Sequence, residues 1–264
     1  MLKGLFTGLV ALAAAGFARG AEDGTVGVST VFGIIKVESP HTSTLVSVPW
    51  AASSGAAEEK AINVADVVKT SNLTEGDRLL AYNAGRGTYD GWSLAKASDG
   101  TLGWEPVTTV TAEGMAVAAG EATATLVRGQ AIWLVRQDCS KPFFLQGQYA
   151  SAPASVAVAG GTAETPAYTL LGNALRGEVG VNELAWGDAP AEGDRLSIPG
   201  GAVARVLRWD AAKGVWYRMV PTVTGGVVKN VRKEDDRIGA GAGFWYVRAS
   251  AGGFTFTWKK KGAQ

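Results

Sequence analysis

The pentapeptide Glu75-Gly76-Asp77-Arg78-Leu79 returns as Glu192-Gly193-Asp194-Arg195-Leu196, 117 positions later. The same spacing pairs Ile62 with Val179, Val64 with Val181, Asp66 with Glu183 and Trp92 with Trp209. Further on, Gly129-Gln-Ala-Ile-Trp-Leu-Val-Arg136 returns as Gly241-Ala-Gly-Phe-Trp-Tyr-Val-Arg248, now at a spacing of 112. Self-similarity at a long period points to a tandem duplication of one unit of roughly a hundred residues. The change of spacing is expected to fall between Trp92 and Trp104, because the matching turn Ala211 to Gly214 is short. Residues present in both copies are assigned to the scaffold, and residues present in one copy only are the candidates for a site.

Each copy reads as short strands separated by glycine-containing turns. Runs such as Arg78–Asn83, Thr88–Ala95 and Phe244–Ala249 alternate or are rich in Val, Leu, Thr and aromatic residues. No apolar period of 3.6 residues persists over 12 positions, so long helices are not expected. With 36 Gly and nine Trp, the chain is expected to be all-β. The architecture that follows is two packed copies of a small antiparallel sandwich or partly open barrel. The expected boundaries are a leader at 1–20, a first repeat at 21–149, a linker at 150–167 and a second repeat at 168–264. The linker reading rests on Ala, Ser, Gly, Pro and Thr. In this alignment Tyr168-Thr-Leu-Leu171 stands where Leu45-Val-Ser-Val48 stood. Copy two has no evident equivalent of Val31–Glu38, so Phe143–Tyr149 is expected to be a strand shared at the joint.

Residues 1–20 have the layout of a secretory signal: Lys3, an apolar run from Leu5 to Phe17, and Ala18-Arg19-Gly20. The run is shorter than the ~20 residues a spanning helix needs. A secreted, cell-surface or periplasmic protein with no stable membrane span after cleavage is expected. Loss of Lys3 and Arg19 takes the formal charge from +1 to about −1, which offers nothing to steer towards nucleic acid. The single cysteine, Cys139, excludes an intrachain disulfide.

The residue inventory narrows the chemistry. One histidine, His41, lies in a turn after Pro40, and one cysteine cannot complete a usual zinc ligand set, so no cofactor or metal is assigned. Gly239-Ala-Gly241-Ala-Gly243 leads into a strand and not into a helix, which removes the helix N-terminus that a dinucleotide fingerprint needs. Carboxylates are the remaining acid–base groups. Asp77 and Asp194 are expected to accept N–H groups of their own turns, and Glu234-Asp235-Asp236 is expected to be a mixed solvated loop. The paired tryptophans Trp92/Trp209, Trp104/Trp216 and Trp133/Trp245 are assigned to the cores. Trp186 aligns with Lys69 and is expected to point outwards. The candidate ligand-binding residues are therefore Trp186 and, around a turn specific to copy one, Tyr82, Arg86, Tyr89 and Asp90. The leading expectation is a non-catalytic surface or extracellular structural or adhesive module. Its partner would be an extracellular protein or a glycan surface. Carbohydrate binding through the unpaired aromatics is the alternative, and a carboxylate-dependent hydrolase the third reading.

Overall fold

The computed structural model of the chain describes residues 32–38, 42–49, 62–63, 67–83, 87–107, 117–119, 125–148, 153–200 and 203–262. The leader, His41, Trp50 and Arg86 lie outside them. The first half contains β1 (Phe32–Val37), β2 (Ser43–Ser47), β3 (Ile62–Asn63), β4 (Arg78–Asn83), β5 (Thr88–Lys96), β6 (Leu102–Pro106), β7 (Val117–Ala119), β8 (Thr125–Leu126), β9 (Ala131–Val135) and β10 (Phe143–Gln148). The second contains β11 (Ser155–Val158), β12 (Ala167–Gly172), β13 (Val179–Gly180), a 3-10 turn at Val181–Glu183, β14 (Arg195–Ile198), β15 (Arg205–Asp210), β16 (Val215–Thr224), β17 (Val227–Lys233), β18 (Arg237–Ile238), β19 (Gly243–Arg248) and β20 (Phe254–Thr257).

The protein is thus nearly all β, built from several antiparallel sheets, with no closed barrel among the described residues. One six-stranded sheet runs β2-β9-β4-β5-β6, with β7 added parallel to β5; the other runs β12-β19-β14-β15-β16-β17. Two-stranded ribbons β1-β10 and β3-β8 accompany the first, and β11-β20 and β13-β18 accompany the second. Period-two alternation decides the faces. In β15, Leu207 and Trp209 are buried while Val206 and Arg208 are exposed; in β19, Phe244 and Tyr246 are buried while Trp245 is half-buried. The inward residues give one core per half. Leu79, Trp92, Leu94, Ile132 and Leu134 meet Ile35 and Leu145 of the ribbon in the first. In the second, Leu196, Leu207, Trp216 and Tyr246 meet Val156 and Phe256.

The register revises the sequence alignment. Leu79 and Leu196 do hold matching places, opposite Leu134 and Tyr246. On the next strand the match is Leu94 with Trp209, not Trp92 with Trp209. Leu94 donates its N–H to the Asp77 carbonyl at 2.7 Å, and Trp209 donates to the Asp194 carbonyl at 3.2 Å. Opposite these two lie Trp104 and Trp216. The spacing therefore shortens in two steps, one in the β4–β5 hairpin and one in the β5–β6 hairpin. The first is set by Arg78 facing Ser93 where Arg195 faces Arg208. The segment expected to be a linker is corrected as well. It contains β11, whose Val156 and Val158 are buried and which pairs with β20 as β1 pairs with β10. Among the described residues no strand is shared between the halves. Likewise Leu45 corresponds to Leu170, since these face Trp133 and Trp245.

The halves meet reciprocally. Val46 bridges to Ala242, and Gln130 bridges to Leu171. Ser47 donates its N–H to the Gly241 carbonyl at 2.9 Å, and Gly172 donates to the Gly129 carbonyl at 2.7 Å. Gly129 lies against Trp258 and Val156 of the second half, while Gly241 lies against Ile35 of the first. This exchange of equivalent contacts is the pattern of an isologous interface. Only small residues permit it. A Cβ on Gly172 would stand 2.1 Å from the Gln130 carbonyl oxygen, and one on Gly243 2.4 Å from Ala131 Cβ. Trp133 and Trp245, expected in the two cores, instead pack half-buried around Leu45, Ala131 and Leu170 at this joint. An aromatic shared by both halves can serve the contact between them as well as either interior.

Gly172→Ala is expected to destabilise the protein by ~1–3 kcal/mol through backbone displacement at the joint. Gly177→Ala, whose Cβ would meet nothing within 4 Å, is expected to stay within about 0.5 kcal/mol. Urea midpoints of the two variants check this.

Candidate functional site

The two repeated carboxylates are structural locks. Gly76 and Gly193 have φ of +89° and +92°, the left-handed region that glycine enters without strain, and so turn the chain sharply into β4 and β14. The next side chain is then fully buried. Asp77 accepts the Thr74 N–H at 3.0 Å and the Gln137 N–H at 2.7 Å. Asp194 accepts the Ala191 N–H at 3.1 Å and the Ala249 N–H at 2.9 Å. In the second half the Tyr246 hydroxyl also donates at 2.7 Å, and Arg248 closes an ion pair at 3.1 Å. Both Asp194 oxygens are occupied by protein donors. Burial and the bond to Asp194 push the Tyr246 hydroxyl far above its ordinary range.

Among the described residues no cluster of His, Cys, Asp and Glu suited to a metal ion occurs. The acidic run 234–236 is not simply a solvated loop. Asp236 is buried and takes Arg205 at 2.8 Å and Arg218 at 2.6 Å, while Glu234 pairs with Arg232.

Trp186 does not point outwards; it is 4% exposed. Its indole N–H donates to the Val181 carbonyl at 2.8 Å, and its ring stacks on Phe256 with centroids 4.4 Å apart. Its aligned counterpart Lys69 is exposed although both segments are tied to a strand-end backbone, Lys69 to the Phe144 carbonyl at 3.1 Å and Ala185 to the Lys259 carbonyl at 2.9 Å. Trp186, with Trp209, Asp188, Pro190, Ala211 and Lys261, lines a half-open cavity of about 250 Å³. Trp186 and Trp209 are only 4% and 7% exposed, which leaves little ring face on which a sugar could stack.

Of the copy-one candidates, Tyr82 and Tyr89 are brought together and Asp90 is sent elsewhere. Tyr82 faces Tyr89 across β4 and β5, with ring centroids 5.3 Å apart. Asp90, next along the strand, lies on the opposite face and accepts the Asn83 amide at 3.2 Å. The Tyr89 hydroxyl is raised by burial, opposed by its hydrogen bond with the Trp133 side chain. The sequence reading missed the continuation: Tyr82 meets Trp245 edge-on at 5.1 Å, and Trp245 meets Tyr168 at 6.0 Å. Four aromatic rings thus cross the joint in one row. Period-two parity of Trp245 and Tyr168, against their inward neighbours Phe244 and Thr169, was the available signal.

The most exposed apolar surface lies elsewhere. Strands β16 and β17 extend past the rest of their sheet as a two-stranded ribbon on which Met219, Val223, Val227, Val228 and Val231 are between 41% and 69% exposed. Val203 and Val206 are exposed as well. Met219, Val223 and Val228 lie on one face of the ribbon and Val227 and Val231 on the other, and exposed apolar side chains grouped in this way mark interaction surfaces. On the same face as Met219, Arg195 and Arg208 stand directly opposite each other. Neither has an ion-pair partner among the described residues, unlike Arg205, Arg218, Arg232, Arg237 and Arg248.

Trp186→Ala is expected to cost ~3–5 kcal/mol, as Trp216→Ala does, because each leaves a cavity in the same core. Chemical denaturation of both variants compares them. Tyr246 adds a pH signature. Its raised pKa means its contribution is complete below about pH 10 and is lost as the pH climbs beyond that value. Tyr246→Phe is therefore expected to flatten the alkaline fall in stability, read as unfolding midpoints between about pH 8 and pH 11.

Comparison with protein-family models, with curated proteins and with solved structures finds no match for this chain.

Proposed function

We propose that this is an exported, non-catalytic β module, built from two copies of one unit, with a structural or adhesive role at the cell surface, in the periplasm or outside the cell. It acts through the β16–β17 ribbon. The observation that carries this reading is the exposure of that ribbon: five large apolar side chains, divided between its two faces, on an element that no second layer covers among the described residues. Holding them in water has a hydrophobic cost of ~25 cal/mol per Å² that docking would recover. The reciprocal joint supports the same reading, because it ties both halves into one stiff body on which the ribbon is carried.

A second reading, binding of an acidic glycan, is favoured by one feature. Arg195 and Arg208 oppose each other as like charges, an arrangement that is unfavourable across strands unless an anion lies over it. Tyr217, opposite Arg208 on β16, flanks the pair with a half-buried ring.

Protein recovered from its native host is expected to start at Ala21 or within a few residues of it, by intact mass. Excising Pro221–Asn230 and rejoining Val220 to Val231 through Asn-Gly is expected to abolish attachment or assembly without lowering the unfolding midpoint. Retention of full attachment by the shortened protein would overturn the reading. A glycan array that reports acidic sugars, lost on Arg195→Glu/Arg208→Glu and kept on shortening, would put the second reading in its place.

A further inference from the structure

The open edge of β17 is not equally receptive to every partner. This strand pairs with β16 through seven consecutive registers and is the last strand of its sheet. The turn between them is Gly225-Gly226, with φ of +60° and +80°, as a two-residue type I′ hairpin turn demands. In such a hairpin the flanking pair, Thr224 and Val227, exchanges both main-chain bonds, and bonded pairs recur at every second position. The N–H and C=O groups of Val227, Lys229, Val231 and Lys233 therefore point at β16. Those of Val228, Asn230 and Arg232 point away from it, towards the open side. Pro221, which has no N–H, faces Asn230 in a pair that needs no bond from it.

We infer that the partner of this edge is the β17 strand of a second copy of this chain, joined antiparallel about a two-fold axis through Asn230. The inference rests on the proposed docking role of the ribbon and names its occupant. Charge placement selects the register. Centred on Asn230, all seven residues pair: Asn230 faces Asn230 of the partner subunit, Val228 faces the partner's Arg232, Lys229 faces the partner's Val231, and Val227 faces the partner's Lys233. No cation opposes a cation. Centring on Lys229 or Arg232 sets like charges directly against each other, which destabilises a sheet. Centring on Val231 sets Lys229 against Lys233, and centring on Val228 leaves most of the strand unpaired. The three residues with outward main-chain groups pair only among themselves in the chosen register, so every outward N–H and C=O finds a partner. The two six-stranded sheets become one continuous sheet, in which each β17 valine lies opposite the stem of a partner Lys or Arg rather than open water.

The test uses the full mature chain in a Cys139→Ser background. Sedimentation at rising concentration up to roughly 0.1 mM is expected to show a reversible dimer. Asn230→Cys is expected to form an interchain disulfide at least ~10-fold faster than Val203→Cys, an exposed control, because facing strand residues lie within disulfide reach. Asn230→Pro removes an outward N–H only. It is expected to leave the unfolding midpoint of the monomer in place and abolish the dimer, whereas Lys229→Pro breaks the ribbon itself. A chain that stays monomeric throughout, with Asn230→Cys no faster than Val203→Cys, overturns the inference. If that chain still loses attachment on ribbon shortening, the docking role stands and only the second copy is excluded. If the dimer forms but shortening leaves attachment intact, self-pairing stands and the docking role falls.

Discussion

Everything in this molecule is arranged around a place where two backbones come closer than side chains allow. At the joint, Ser47 meets Gly241 and Gly172 meets Gly129 through main-chain bonds, and each partner is the positional equivalent of the other's. Close approach leaves no room for a side chain at Gly172 and Gly243, where a Cβ would stand 2.1 Å and 2.4 Å from the facing half. It also moves the aromatic residues to the rim, where Trp133, Trp245, Tyr82 and Tyr89 enclose Leu45, Ala131 and Leu170. The two cores lie on the far faces of the sheets and do not merge. The joint is fixed in geometry by hydrogen bonds that have direction.

Much of the scaffold was legible in the sequence because it rests on local rules. Strand positions followed period-two alternation, and the Glu-Gly-Asp turns announced themselves through a glycine whose φ must be positive. What was not legible depends on partners far along the chain. Residues 150–167 read as a linker because Ala, Ser, Gly, Pro and Thr dominate there. Only the pairing of Ser155–Val158 with Phe254–Thr257 makes them a strand. Trp92 was matched to Trp209 because identity outweighs register in an alignment; the hydrogen bonds to the two Asp carbonyls show Leu94 in that place.

The candidate site was less legible than the fold. Trp186 looked exposed because its aligned counterpart is Lys69, yet a hydrogen bond to Val181 and a stack on Phe256 absorb both its polar and its apolar parts. Tyr82 and Tyr89 were found together because they face each other across a hairpin, a contact that chain separation alone suggests. Their continuation through Trp245 to Tyr168 spans the joint and could not be read from either half. The ribbon was hidden for another reason. Val223, Val227 and Val231 have the residue types of a core strand, and composition does not say that no second layer covers them.

The reciprocal seating of Gly129 against Trp258 bears on the order in which the molecule can assemble. The indole of Trp258 donates to the Gly129 carbonyl at 3.2 Å across 129 residues of chain. During synthesis the first half emerges long before Trp258, and its glycine turn stays uncovered until the final strand is made. Closure over so long a separation carries a loop entropy that local turns do not, and contacts of high sequence separation slow folding. The first half is therefore held incomplete until the C-terminal segment that carries Trp258 arrives.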